Sequence, residues 1–375
     1  LDYEAEVKKH GSGRKAALAL KIPDTTFRYH LKKQRTKSAL SGLGLETKDA
    51  EAAVIDNLDL SGTSRYYKLE DGGVWVKTDK TKIDLTKAIR DIIEAASSDT
   101  PAIPEIKPLK DYIKNLCAVL PIGDAHIGMW ACKDRSGAAW DLNIAKTEMC
   151  GAFKYLIDRS PACEKIIIMN VGDWFHYSKM VPTTEGHGHV LSVDGSPMSM
   201  YSVGVDIMEF AIEYAATKYQ EVEVQNVAGN HDGLLAYAMS DGLNRRYRDN
   251  PRITVRMDHT RRIYTRFGKN LFGLVHGHQT KDSNLIVTMA QEVAEYWGQT
   301  LHRVFFRGHD HHKNMVDYVG GTVEHVRTWA PGDDYSSDNG YISQRSLDLI
   351  LYHREYGRQG HGDSCTPEMI REMLI

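Results

Sequence analysis

Five apolar runs of β-strand type each end directly in residues able to bind a metal ion, and this repetition constrains the chain more than any other feature. LCAVLPI (116–122) leads to Gly123, Asp124, Ala125 and His126; KIIIMNV (165–171) leads to Gly172 and Asp173. VEVQNVA (222–228) leads to Gly229, Asn230, His231 and Asp232. NLFGLV (270–275) leads to His276, Gly277 and His278, and HRVFFR (302–307) to Gly308, His309, Asp310 and His311. Between these runs lie helical patterns at 143–159, 199–219 and 234–248, which predicts an α/β domain. In open α/β sheets ligand sites gather beyond the carboxyl ends of strands, so the five clusters are expected to converge in one crevice. Glycines beside them permit sharp turns and bring short side chains close to an ion.

Taken in order, the set D-x-H, G-D, G-N-H-D, H-G-H and G-H-x-H resembles the calcineurin-like metallophosphoesterase family over about 200 residues. The resemblance implies a calcineurin-like two-sheet β-sandwich flanked by helices. It also implies one metal held by Asp124, His126, Asp173 and His311, and a second held by Asp173, Asn230, His276 and His309, with Asp173 bridging. Imidazole and carboxylate suit Mn²⁺, the first choice, with Fe, Zn²⁺, Ni²⁺ and Mg²⁺ as alternatives. Two such ions supply an activated water for in-line phosphoryl transfer. His231 is implied to face the leaving-group oxygen as general acid or cationic stabiliser.

Where the family's second motif often carries an aspartate, three residues after Asp173, this chain has His176. Gly-Asp-x-Phe-His resembles the Mre11 and SbcD nucleases more than the protein phosphatases, which is a vote for nucleic acid. The carboxylate that orients His231 is left open by this departure; Asp232 is a candidate, and its plain reading is to buttress the loop. His176 and Asp232 are therefore expected to support the ligands. His187 and His189 read as ordinary loop histidines, and His278 and His312 as supporting or surface groups. Arg261, Arg262, Arg266 and Lys269 alternate with Ile263, Tyr264 and Phe267 as a half-buried strand does. Arg327, Tyr341 and Arg345 are candidate phosphate or base contacts at the crevice margin.

The amino-terminal end differs in charge from the rest. The chain of 375 residues has a formal net charge of -3, yet residues 1–37 carry ten Lys or Arg against four Asp or Glu, about +6. Within GSGRKAALALKIPDTTFRYHLKKQR, Ala16, Ala17 and Leu20 form an apolar helical face, and Pro23-Asp24 breaks the chain. Asp24 or Thr25 can cap a second helix in which Phe27 and Leu31 pack inward. That leaves Thr26, Arg28, Tyr29, Lys32 and Lys33 for solvent or DNA. The pattern resembles helix-turn-helix modules of the resolvase and Fis type and predicts a DNA-binding module.

The expected organisation is a helix-turn-helix module at 1–37, a linker with a small hairpin (65–79) and a helix (84–97) at 38–110, and a catalytic domain at 111–375. Together with the WVKT hairpin and the closing LILYHREYG, the arrangement resembles phage-encoded helix-turn-helix metallophosphoesterases found among DNA-metabolism proteins. Five scattered cysteines without a CxxC pair give no disulfide or zinc-finger framework. No run approaches the ~18 apolar residues of a membrane span, and the first residues lack a secretory stretch. A cytoplasmic protein is expected, in host cytoplasm if phage-encoded, with DNA as partner, no membrane, and a homo-oligomer compatible with the sequence. The function expected is a two-metal phosphodiesterase, a nuclease, acting on DNA. Its competitors are a phosphatase or phosphodiesterase for small nucleotides or phosphoproteins, and a DNA-binding regulator with an inactive phosphoesterase domain.

Overall fold

The computed structural model describes residues 2–10, 12–23, 26–27, 30–31, 64–69, 72–77, 109–183, 190–258, 260–332, 343–360 and 362–374. The chain divides into two compact units, Leu1–Ile83 and Asp84–Ile375. The helix expected near 84–97 lies outside the described residues.

In the first unit, α1 (Tyr3–His10) precedes α2 (Gly13–Ala19). The Ser12 side chain caps α2 by accepting from the Lys15 N–H. Ala16, Ala17 and Phe27 are buried together, with Tyr3, Val7, Leu20, Ile22 and Leu31 packed against them. Burying a phenylalanine is worth about 1.5–3 kcal/mol, and the Tyr3 ring adds an edge contact to Phe27 with centroids 5.2 Å apart. The inward face read from the sequence is therefore present, joined by a helix, α1, that the sequence reading did not contain. Strands β1 (Ser64–Leu69) and β2 (Gly72–Lys77) pair antiparallel as the expected hairpin.

The second unit begins with β3 (Ile113–Ile122), a short α3 (Lys133–Ser136), α4 (Leu142–Arg159), β4 (Cys163–Asn170), α5 (Pro197–Ala216), β5 (Glu221–Asn226), α6 (Gly233–Tyr247) and β6 (Ile253–Val255). There follow β7 (Arg262–Phe267), β8 (Asn270–Val275), α7 (Asp282–Glu292), α8 (Ala294–Gln299), β9 (His302–Arg307), β10 (Asn314–Tyr318) and β11 (Gly321–His325). The chain closes with β12 (Leu347–His353), β13 (Gly357–Arg358), β14 (Asp363–Cys365) and α9 (Pro367–Leu374). One sheet runs β13-β12-β3-β4-β5-β6, with β14 added beside β12, and the other runs β10-β11-β9-β8-β7.

Side-chain alternation along the strands explains why the runs are continuously apolar. On β3, Leu120 and Ile122 face the helical layer while Cys117 and Val119 face the second sheet. On β4, Ile166 and Ile168 take the first face, Ile167 and Met169 the second. Strand β8 repeats the device, with Phe272 and Leu274 turned to the first sheet and Leu271 and Val275 turned to Leu285, Ile286 and Met289 of α7. Strands covered on both faces need apolar residues at every position. Helix α4 buries Ala145, Met149, Ala152, Phe153 and Leu156, the three-to-four spacing of one helical face. Its amino terminus is capped by Asp141, whose carboxylate accepts from the Ile144 N–H at 2.7 Å. Ser196 and Pro197 start α5 in the same manner, the proline occupying the first turn where no N–H is needed. The architecture is thus two sheets face to face with helices outside, as the sequence led us to expect. No helix among the described residues is long and apolar enough to cross a membrane.

Candidate metal centre

Strand register delivers the motif residues to one edge. Ile122 lies beside Asn170 and Asn170 beside Asn226, so β3, β4 and β5 end level with one another. In the other sheet Val275 pairs with Arg307 and Arg307 with His325, which levels β8, β9 and β11. The loops after these ends bring together all seven residues expected as ligands. Asp124, Asn230 and Asp173 leave the larger sheet; His276, His309 and His311 leave the smaller one. His126 follows two residues after Asp124, its N–H donating to the Asp173 carbonyl at 2.9 Å.

The ligand atoms of Asp124, His126 and His311 lie within 4.8 Å of one another, and so do those of Asp173, His276 and His309. His311 Nε2 is 3.4 Å from Asp124 Oδ1, and His276 Nε2 is 3.1 Å from Asp173 Oδ2. Asn230 Oδ1 joins the second group 2.9 Å from His276 Nε2. Asp124, His126, Asp173, His309 and His311 all have positive φ, between 38° and 73°. Left-handed backbone costs a non-glycine residue of order 1–3 kcal/mol and persists where the surroundings over-determine it, most often at functional sites. The close fit shows again at Gly229, where a Cβ would stand 1.9 Å from Asp173 Oδ1.

The electrostatics of these side chains follow from burial and from one another. Burial, and after it the neighbouring His231, push His126 well down, which keeps its imidazole neutral. His276 goes the other way: burial opposes its charge, but the Asp173 carboxylate outweighs burial and lifts it to about 9. Asp173 is correspondingly held below the usual carboxylate range, burial being overcome chiefly by His276. Asp124 and Asp173 are both buried, and their charged-group neighbours among the described residues are imidazoles rather than lysine or arginine. Buried carboxylates surrounded by imidazole nitrogens match the donor preference of divalent transition ions. These residues therefore fit a two-metal site.

His231, His126 and His176 form a third group, sharing His126 with the first. His231 Nδ1 meets the His176 carbonyl at 2.8 Å, and the two rings stack with centroids 5.6 Å apart. His231 is thus oriented by a backbone oxygen. Asp232, the candidate for that task, does something else: Oδ2 accepts from the Trp174 and Phe175 N–H groups at 2.8 and 3.2 Å, and Oδ1 from the Gly229 N–H at 2.8 Å. It ties the second motif to the third. His176 Nδ1 lies 3.3 Å from His126 Nδ1.

A ring of charges not read from the sequence stands behind the second group. Arg307 pairs with Asp282, and its Nη2 is 2.9 Å from Asp310. His325 closes the ring, Nε2 lying 2.6 Å from Asp282 and Nδ1 3.1 Å from Asp310. The His325 hydrogen bond first, and Arg307 next, hold the Asp310 carboxyl at about 2. Asp310 separates the candidate ligands His309 and His311, while the Arg307 guanidinium lies over Gly277, where φ is 109° and a Cβ would come 2.6 Å from Nε. The ring's members lie at 282, 307, 310 and 325, on separate segments with no shared local pattern.

The remaining sequence candidates separate. Arg345 is not a substrate contact: its side chain is 9% exposed, reaches Glu148 at 3.4 Å and donates to the Trp329 carbonyl at 2.7 Å. Arg327 is 3.5 Å from Ser346 Oγ. Ile263 and Phe267 are buried on β7, while Arg262 pairs with Glu292, so the strand reading of that run holds. His312 is exposed, its Nδ1 on the Asp310 carbonyl at 2.7 Å. In the first unit Thr26 is exposed. Arg28, Tyr29, Lys32, Lys33, His187, His189 and Tyr341 lie outside the described residues.

No protein-family model and no curated protein matches this sequence. Among solved structures, the chain is similar to an archaeal phosphodiesterase at 12% identity, with 66% of this chain and 98% of that one covered and a TM-score of 0.33. It is similar to vacuolar protein sorting 29 of Cryptosporidium parvum at 14% identity, covering 68% and 97%, with a TM-score of 0.32. The Entamoeba histolytica form of that protein, complexed with zinc, is 13% identical, covering 66% and 97%, with a TM-score of 0.27. Superpositions this loose carry no functional argument, and the reading below stands on the site.

Proposed function

We propose that this chain is a calcineurin-like, two-metal phosphodiesterase that acts on DNA. The observation that carries the reading is the convergence of Asp124, His126 and His311 with Asp173, Asn230, His276 and His309 at the level ends of two sheets. One ion would be held by the first set with Asp173, the other by the second set, with Asp173 between them and Mn²⁺ the first choice. When bound, the ions supply an activated water and neutralise the phosphoryl oxygens. The chain's own residues do the rest. His231, held by the His176 carbonyl, keeps Nε2 for the leaving-group oxygen, and Asp232 locks the loops that carry Asp173 and Asn230. Support for DNA comes from the basic amino-terminal end and the helical cluster within it, whose phosphate contacts would give salt-sensitive affinity.

The test is incubation of the full chain with end-labelled single- and double-stranded DNA in Mn²⁺, Mg²⁺ or chelator, beside a small phosphodiester and a nucleoside monophosphate. Metal-dependent cleavage of DNA is expected. Turnover of the small substrates alone would move the reading to a small-nucleotide phosphatase, and binding of DNA with no turnover at all to a regulator.

A further inference from the structure

Among the described residues, the strand's own pairings near β7 take up Arg262 and Arg266 but not Arg261. Arg262 is bonded through Nε to Glu292 Oε2 at 2.9 Å, an oxygen that Tyr264 also contacts at 2.6 Å, and Arg266 is bonded to Gln299. Arg261 is exposed, and among the described residues it has no carboxylate partner. Its guanidinium instead meets another nitrogen: Nη1 lies 3.4 Å from His278 Nε2. His278 belongs to the edge of the metal centre, its ring centroid 5.3 Å from that of His276 and 6.1 Å from that of His309.

The hydrogen-bond inventory of this pair is incomplete. His278 Nδ1 is covered by protein and meets no partner among the described residues. With the imidazole proton on Nδ1, a covered donor is left without an acceptor. With the proton on Nε2, Nδ1 becomes a covered acceptor and two donors face each other across 3.4 Å. In the second arrangement an oxyanion can accept from both facing donors at once, and arginine is the side chain best suited to phosphate.

We propose that Arg261 and His278 form an anion subsite that holds a phosphate neighbouring the scissile one, so that the substrate is a nucleotide strand rather than an isolated diester. This rests on the reading of the centre as a phosphodiesterase. A strand laid across the His276 side of the centre would place one phosphate between the metal groups and the next against Arg261. A substrate with a single phosphate leaves the pair unfilled.

The test compares the trinucleotide TpTpT with its analogue in which one of the two phosphates is a neutral methylphosphonate, titrated calorimetrically into the full chain with Ca²⁺ present. A charge-assisted contact of about 1.5–3 kcal/mol corresponds to a preference of about tenfold or more for the doubly charged strand. That preference is expected in the unaltered chain and should fall to near unity in Arg261→Gln and in His278→Gln, with metal content by elemental analysis unchanged in Arg261→Gln. No preference in the unaltered chain overturns the subsite, as does an undiminished preference in Arg261→Gln. The underlying reading is judged separately, by metal uptake and hydrolysis of bis(4-nitrophenyl) phosphate by the unaltered chain. Its failure would leave the titration to decide on the anion pair alone.

Discussion

Both carboxylate oxygens of Asp173 are engaged by residues of other motifs: the His231 backbone N–H donates to Oδ1 at 2.8 Å, and His276 Nε2 stands 3.1 Å from Oδ2. An amide at this position presents an NH₂ either to an N–H donor or to an imidazole nitrogen. Asp173→Asn should therefore lose metal and turnover more completely than any other single ligand change, by more than about 10²-fold in metal affinity. Elemental analysis with steady-state rates checks this. Full metal content with ordinary turnover would remove Asp173 from the bridging role.

Gly229 offers a subtler route to the same carboxylate. A methyl group there would stand 1.9 Å from Asp173 Oδ1. Gly229→Ala should leave the sheets folded, by circular dichroism, while lowering metal content below that of the unaltered chain. An unchanged metal isotherm would mean the loop yields without moving Asp173.

His231→Ala should separate holding metal from doing chemistry. Its Nδ1 is committed to the His176 carbonyl, so Nε2 is the atom available to a leaving group. General acid catalysis is typically worth about 10²–10⁴-fold. The loss in kcat should be of that order for alkoxide leaving groups, smaller for nitrophenolate, with metal content retained. Equal losses for both, or a missing metal, would make His231 a ligand or an electrostatic clamp.

The ring of Arg307, Asp282, His325 and Asp310 should act on the loops carrying His276 and His309. Breaking one buried pair costs about 3–5 kcal/mol because a charge is stranded, whereas removing both partners costs far less. Arg307→Met alone should lower the melting temperature and weaken metal binding. Arg307→Met with Asp282→Leu should recover much of the melting temperature yet keep metal affinity depressed by about 10–100-fold. Joint recovery of both would reduce the ring to a stability device.

Deleting residues 1–37 removes the basic, helical end of the chain. DNA affinity and its dependence on salt should fall, while hydrolysis of a small chromogenic phosphodiester is retained. Binding isotherms across a salt series check this, and identical slopes would assign that end to another partner.

What was legible in the sequence follows from where the determining interactions lie. The convergence of the candidate ligands could be read because each sits within a few residues of the strand that aims it, and strand register does the remainder. Helices α4, α5 and α6 were legible from their own periodicity. Helix α1 was not, since of the few apolar residues in YEAEVKKH only Tyr3 and Val7 pack, and they count only against the cluster around Phe27. Arg345 was misread because its Gly-rich surroundings suggest a margin, while its partner Glu148 lies on α4, nearly two hundred positions away. The charge ring was invisible for the same reason. Coulomb pairs between distant segments leave no local period.

Asp124, Asp173 and Asn230 hang from one sheet, and His276, His309 and His311 from the other. Ions that bind only when both sets are present would act as a clasp across the sandwich. A ligand at a thousand times its dissociation constant adds about 4 kcal/mol to the state that binds it. That increment would belong to the docking of sheet on sheet rather than to either sheet alone. A chelator would then open the molecule as a book opens at its spine, with the strands of each page still paired, and the facing side chains of Val119, Ile167, Phe272 and Leu274 would become open to a dye that binds exposed apolar surface.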